Sequence, residues 1–302
     1  LTRDPRLPAR IVETGRIVFP DALDPSNLAH LAPAIAGARR CSDPAVLQPG
    51  HPRGDLPATL TNGYAIFDFA ENAAGFVRLH LHGEPGSLLN LAYSESLAYG
   101  VIEANKQGVR YVDRIILGEG DLDHTIILPK TFRFLFVQVT GTVTFQRLAH
   151  EVSHYPFRWT GRFSSSDQSL DAIWRVGAHT LAISTEDVFM DTPRRERAGW
   201  LGDMLPESMA GYHAFGDTRL ARHSLGLFLS SQDQKGLYLR YPENDPGWLW
   251  SRYPSIDPGS MPDYNASVAI AARDYVLYSG DTDFANAQWS RLVAVTDYIL
   301  RR

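Results

Sequence analysis

At about residue 157 the apolar period of this chain changes, and no other feature constrains its fold as much. From about Thr59 to Val152 apolar and polar residues alternate in short runs; beyond Phe157 they recur at helical spacing. Alternation places one set of side chains on one face of a strand, whereas a recurrence every three to four residues builds one face of a helix. The 302 residues also exceed the usual size of one domain. The expected organisation is therefore mixed and multidomain: an antiparallel β-sandwich over residues 58–155, then an all-α domain over 156–302.

In the first region, residues 64–69 are rich in aromatic and branched side chains, and 75–83 alternate strictly. Glu84-Pro85-Gly86 reads as a turn and 88–93 as a strand. Residues 110–117 alternate again and close on Gly118-Glu119-Gly120-Asp121; 125–128 and 132–139 complete the set. Strands at this spacing predict a sandwich or jelly roll. His80 and His82 read as exposed strand-face residues, and Glu95 and Asp113 as strand-end residues.

In the second region, Ser165 with Gln168 resembles a capping box, and Leu170, Ile173, Trp174, Val176, Leu181 and Ile183 fit one buried helical face. Pro206 suits the first turn of a second helix that runs to about Phe215 and closes on Gly216. Asp217 can cap a third, carrying Leu220, Leu225, Leu227 and Phe228 and ending near Gly236. An irregular stretch, 238–263, holds Tyr241, Trp248, Trp250 and Tyr253 among five prolines, and loops of such length are usually functional. Helices over 264–278 and 283–302 come next, with Gly280-Asp281 between them. His179, His213 and His223 read as helix-surface or packing residues. Helices joined in this way, with their loops on one rim, suggest an α/α barrel. Only about five fit, where a closed toroid of paired helices needs about twice as many, so the barrel reads as truncated.

Residues 1–57, punctuated by nine prolines, read as a connector with a short strand over 11–18 and a short helix over 28–36. A net charge of −5 gives no sign of nucleic acid or an anionic membrane as partner, and no apolar run approaches a membrane span. No signal peptide opens the chain, but it begins on Leu1, so localisation stays open between cytoplasmic and exported. The single cysteine, Cys41, excludes an internal disulfide framework. Oligomeric state is not legible.

One run departs from both periodicities: Asp191-Thr192-Pro193-Arg194-Arg195-Glu196-Arg197-Ala198-Gly199-Trp200-Leu201-Gly202-Asp203. The Thr-Pro turn and two glycines argue against regular helix, so its charges sit on a tight connection, where function collects. A carboxyl that works as a general acid near neutral pH needs burial or a neighbouring carboxylate to raise its pKa. Asp191 and Asp203 can press on Glu196 or bind substrate hydroxyls; Arg195 is expected to hold Asp191 or the substrate and leave Glu196 free to carry a proton. Trp200 offers a flat apolar face to a sugar ring. A salt-bridged cap is the competing structural reading, since ion-pair networks also perturb pKa values. A metal held by Asp191, Glu196 and Asp203 is disfavoured by the arginines around them, and no cofactor is implied.

This run resembles the signature of the bacterial α-L-rhamnosidases, glycoside hydrolase family 78. Residues 64–76, 110–118 and 132–141 look like the sandwich that precedes the catalytic barrel in that family, and Gly161-Arg162-Phe163 through Trp174 like the barrel entry; the likeness covers roughly 58–302. Many members carry one more residue and a cysteine here; this chain has Thr192 and the shorter form, shared by others. The resemblance implies an inverting glycosidase on an (α/α)6 barrel that removes terminal α-L-rhamnose from glycans or glycosides. Glu196 would be the general acid. Asp191, Arg195 and Asp203 would bind rhamnose hydroxyls with Trp200 beside the ring, and Trp248 or Trp250 would face the C6 methyl. The family's catalytic base is a glutamate further along the barrel, and no residue here matches it; Glu207 and Glu243 are poor substitutes. A protein ending at Arg302 is then expected to be inactive. The alternatives are a non-catalytic sugar-binding fragment and another (α/α)6-barrel glycosidase or lyase.

Overall fold

A computed structural model describes residues 2–49, 56–106, 108–233, 247–253 and 261–301. The chain divides into two compact units, 2–153 and 154–302. The first holds β1 (Thr2–Arg6), β2 (Arg10–Val18), the helix α1 (Leu28–Ala36), β3 (Arg39–Ser42), β4 (Leu47–Pro49), β5 (Ala58–Thr61), β6 (Tyr64–Gly83) and β7 (Leu88–Ser94). It continues with β8 (Asn105–Lys106), β9 (Val109–Arg110), β10 (Val112–Ile116), β11 (Leu122–Thr125), β12 (Lys130–Thr140) and β13 (Thr142–His154). The strands run in the order β10-β7-β12-β6-β13-β5-β4, with β11 and β2 also on β6, β3 on β2 and β1 on β13; β8 and β9 form a separate ribbon.

The twenty-residue β6 organises this unit. Its first part pairs with β12 and β2, its second with β13 and β11, all antiparallel. Between the two parts Ala70 takes a left-handed φ of 71°, and the register on β12 shifts between Phe132 and Phe134. Arg78, His80 and His82 alternate with buried Val77, Leu79 and Leu81, as the sequence predicts for a half-buried strand. The aromatic first part is buried on both faces. Phe67 and Phe69 enter the main core with Leu79, Leu91 and Phe145, while Tyr64 and Ile66 pack under Leu31 and Ile35 of α1.

The proline-rich opening is therefore part of the sheet unit rather than a connector. Its expected strand and helix are β2 and α1, and β2 pairs with β6 from Arg10 to Gly15. The prolines leave segments just long enough to add strands beside β6, whose central hydrogen bonds and apolar face supply what the local sequence lacks. Two further expectations shift. The strand placed over 125–128 lies earlier, at β11, with Ile127 and Leu128 exposed, and β13 comes after the position where the alternating pattern closes the set. Asp113 accepts from the Lys130 ammonium at 2.9 Å and the Tyr93 hydroxyl at 2.7 Å, and Glu95 from Asn72 at 3.1 Å.

The second unit is helical: α2 (Gln168–Ile183), α3 (Leu201–Phe215), α4 (Arg219–Ser230), α5 (Pro262–Ser279) and α6 (Thr282–Leu300), with a ribbon of β14 (Gly199–Trp200) and β15 (Arg252–Tyr253). Its core joins Leu181, Phe189, Phe215, Phe228, Val268 and Phe284. Gly216 and Gly280 close α3 and α5 at φ of 63° and 71°, the left-handed cap that a Cβ disfavours. Asp167, rather than Ser165, caps α2 by accepting from Ser169 N–H at 2.8 Å. Asp217 accepts from Arg219 N–H at the start of α4, which ends six residues before the expected Gly236. Of the apolar face assigned to α2, Leu181 and Ile183 are buried, but Leu170, Ile173 and Val176 stand 47%, 67% and 66% exposed. The helix buries only its C-terminal half, around Ala178 and Ala182. Among the described residues no helix is long and apolar enough to cross a membrane.

Candidate active site

The charged run forms a closed loop leading into α3. Asp191 N–H donates to the Ala198 carbonyl at 3.1 Å and Ala198 N–H donates to Asp191 Oδ1 at 3.2 Å, so the two ends of the loop are tied together. Gly199 and Trp200 then pair with Tyr253 and Arg252, and Leu201 N–H reaches the Ser251 carbonyl at 2.9 Å. The ribbon sets the direction in which α3 departs and holds the loop at its first turn.

The glycines serve this geometry differently from the expectation that both would interrupt a helix. Gly202 lies inside the first turn of α3, and Pro206 deeper in the helix than a first-turn proline. A Cβ on Gly202 would lie 2.5 Å from the Tyr264 ring, so glycine lets that ring lie against the helix start. Tyr264 donates its hydroxyl to Asp203 Oδ2 at 3.2 Å and meets Trp200 edge-on at 6.1 Å. Asp203 sits in the first turn, where the N-terminal end of a helix favours a carboxylate.

Glu196 is held from both sides. Arg195 Nη2 donates to Oε1 at 2.5 Å and the Trp200 indole N–H to Oε2 at 2.9 Å. Of the two partners expected for Arg195, Asp191 or the substrate, Asp191 is not the one it meets in this structure; it meets Glu196 instead. Arg195 pairs with its neighbour because both point out of the loop, Arg195 being exposed and Glu196 half-buried, whereas Asp191 is turned inward to Ala198. The Trp200 ring carries Arg252 over it, the guanidinium carbon 5.3 Å from its centre.

Two carboxyls here, those of Asp191 and Glu207, lie where their charge is disfavoured. Burial raises the Asp191 pKa, and the charges of Glu196 and Asp203 add to this against the Ala198 N–H. One turn beyond Asp203, on the same face of α3, lies Glu207. Burial, then the charges of Asp203 and Asp191, push its carboxyl from the ordinary 4.5 to about 9. Its Oε2 is buried and has no hydrogen-bond partner among the described residues. Near neutral pH Glu207 is thus a neutral acid within electrostatic reach of Asp203 and Asp191, so this cluster carries one negative charge fewer than its composition suggests. Among the described residues no three His, Cys, Asp or Glu side chains stand close enough to hold a metal ion.

Asp191, Glu196, Trp200 and Asp203 lie together on the loop and the start of α3, with Arg195 on Glu196. The two tryptophans expected beside the sugar lie on the segment that leads into β15. Trp250 is buried, its backbone N–H donating to Ser231 Oγ at 3.0 Å, and Trp248 is half-buried with its indole nitrogen inside the unit. Leu249 between them is gripped by Asn265, which accepts from its N–H at 2.8 Å and donates to its carbonyl at 3.2 Å. Tyr241 and Glu243 lie outside the described residues. The later segment does bring Ser251, Arg252 and Tyr253 to the loop. Tyr264, Arg252 and Glu207 were not singled out as site residues. Gly202 was the available signal for Tyr264, a glycine too early in a helix to be a terminator.

Two family models match the chain. One describes the bacterial alpha-L-rhamnosidase concanavalin-like domain and matches residues 58–155; the other describes the bacterial alpha-L-rhamnosidase 6 hairpin glycosidase domain and matches residues 158–302. An alpha-L-rhamnosidase of Formosa agariphila is 23% identical over 154 residues, covering 47% of this chain and 16% of that protein. The glycoside hydrolase family 78 rhamnosidase of Bacillus sp. GL1 superimposes with a TM-score of 0.73 at 23% identity, over 86% of this chain and 27% of that one. A Klebsiella oxytoca rhamnosidase with rhamnose bound gives 0.70 at 19% identity, over all of this chain and 57% of that one. The chain thus spans between 16% and 57% of the length of these relatives.

Proposed function

The chain belongs to the bacterial α-L-rhamnosidases of glycoside hydrolase family 78, and from that premise we propose that it carries the acid half of an inverting α-L-rhamnosidase site, with Glu196 as general acid. The observation that carries this reading is the hold on Glu196, one oxygen on Arg195 and the other on the Trp200 indole, beside Asp191 and Asp203. Both present partners are donors, so the resting group accepts on both oxygens. To deliver a proton, Glu196 must take one up and release a donor, and the exposed Arg195 is the partner free to swing away. The proton then goes to the glycosidic oxygen as the bond to rhamnose breaks.

Asp191 and Asp203 are suited to accept from sugar hydroxyls, Asp203 oriented by Tyr264 and the helix start. Trp200, with Arg252 over its ring, is a firm flat wall. Inversion requires a second carboxylate about 6.5–9.5 Å from the acid, with room for water between them. Glu207 does not suit that task, because a carboxyl pushed up to about 9 is protonated when a base is needed. The base is assigned to no residue of this chain, and the relatives it matches are longer, so activity is proposed for the protein in its full length. The substrate class is a glycan or glycoside bearing terminal α-L-rhamnose.

The test is hydrolysis of α-L-rhamnosides with good and poor leaving groups by the full-length protein and its Glu196→Gln variant. General-acid catalysis predicts a loss of about a hundredfold or more on poor leaving groups and much less on p-nitrophenyl rhamnoside. An equal loss on both, or none, would remove Glu196 from the role. Cleavage of a different sugar would keep the fold and discard the specificity.

A further inference from the structure

The residue after Glu196 has a backbone that its side chain does not explain. Arg197 takes φ of 50°, the left-handed region that residues other than glycine seldom adopt. The chain must reverse here for Ala198 to meet Asp191, and glycine is the usual solution to that demand. Yet the side chain present is long, charged and mostly buried. Its Nη1 donates to the Pro193 carbonyl at 2.5 Å, on the opposite side of the loop. Its Nη2 donates to Glu186 Oε1 at 2.5 Å, in the segment just after α2. Glu186 is itself anchored, its N–H donating to the Val188 carbonyl at 3.2 Å. The guanidinium therefore spans the loop from within and fastens it to the α2 exit.

Rotation about φ of residue 197 moves the chain on its N-terminal side relative to the chain on its C-terminal side. The C-terminal side is the ribbon and α3, fixed by Arg252, Tyr253 and Ser251. The N-terminal side begins directly with Glu196. We propose that Arg197 is a positioning residue of this site: its clamp on Glu186 and Pro193 fixes the left-handed turn and thereby aims the Glu196 carboxyl at the Trp200 indole and the sugar. This rests on Glu196 being the acid. A strained backbone maintained by two charge-assisted bonds beside a reacting group is the arrangement expected where strain serves orientation.

The experiment separates the turn from the clamp. In the full-length protein, Arg197→Gly accepts the left-handed backbone but loses the clamp, and Glu186→Gln keeps the arginine but removes the charge of its partner. Kinetics are measured on rhamnosides with good and poor leaving groups, with L-rhamnose affinity determined in parallel. The proposal expects Arg197→Gly to lower kcat about tenfold or more on poor leaving groups and less than about threefold on p-nitrophenyl rhamnoside. Glu186→Gln should shift in the same direction by less, and rhamnose affinity should stay within about twofold. A merely structural role would lower both substrates alike. Full activity of Arg197→Gly on both substrates, or an equal loss on both, overturns the proposal. If Arg197→Gly does not fold, Glu186→Gln decides by the same leaving-group comparison. If Glu196→Gln itself shows no leaving-group dependence, the acid assignment fails, and that result is distinct from a failure of Arg197 alone.

Discussion

Glu207→Gln should make this protein more stable near neutral pH, although it replaces a side chain beside the candidate site. The Glu207 carboxyl titrates at about 9 in the folded chain against an ordinary 4.5. Between these values the folded state binds a proton that the unfolded state releases, so stability falls as pH rises through that window. From 4.5 to pH 7 is about 2.5 pH units at about 1.4 kcal/mol each, so retaining the proton costs folding of order 3 kcal/mol at pH 7. Glutamine has nearly the same shape and no proton to retain. The variant should match the parent near pH 4 and exceed it by up to about 3 kcal/mol at pH 7, with a wider gap at pH 8.5. All six tryptophans lie in the helical unit, so urea unfolding monitored by their fluorescence reports on the right part of the chain. Subtracting variant from parent at each pH cancels the titrating groups that do not interact with residue 207, leaving Glu207 and the carboxyls of Asp203 and Asp191 that it faces. A difference that does not change between pH 4 and 8.5, or a variant less stable than the parent at pH 7, would refute the buried neutral acid.

Two further perturbations test the frame around the site and the sheet unit. Gly202→Ala drives a methyl into the Tyr264 ring, and overpacking of this kind costs about 1–3 kcal/mol; combining it with Tyr264→Ala should remove most of that penalty, and additive losses in thermal unfolding would contradict the close approach. Asp68 is buried between Arg133, at 2.8 Å, and Arg10, at 3.2 Å; the Arg133 bond above all holds its pKa below the ordinary 3.8 despite burial. Its contribution is therefore present above that ordinary value and lost as pH falls through the lower, folded one. Asp68→Ala should destabilise the sheet unit by about 1.5–3 kcal/mol at pH 7, the range for hydrogen bonds to a charged group, and circular dichroism melts should show the difference from the parent shrinking toward pH 2.

How much was legible depended on whether the deciding interaction was local. The strict alternation over 75–83 reports half-burial directly, and β6 matches it there. The same strand over 64–69 reads only as aromatic and branched, because its second buried face exists once α1 packs on it. That helix belongs to the segment whose prolines suggested a connector, and β2 acquires its partner only from a strand some fifty residues away. On α2, helical spacing marked Leu170, Ile173 and Val176 as core, but period says which residues share a face and not whether a neighbour covers it.

For the site, the dense run from Asp191 to Asp203 marked by itself where the candidate site lies and which residue types it offers, since connections between regular elements commonly carry function. Residue types could not decide which arginine meets which carboxylate. That Arg195 takes Glu196, Arg197 takes Glu186 and Asp191 turns to Ala198 is the consequence of a left-handed turn and a closed loop. Nor could they show Glu207 as a neutral acid, because its ionisation is set by burial and by two carboxylates brought near it in space. The sequence determined that a sheet-rich unit precedes a helical one, and it determined the residue types of the candidate site, because period and residue type are properties of short stretches. Only the tertiary structure decided the pairing, orientation and charge of those groups, because each depends on a partner distant along the chain or on exclusion from water.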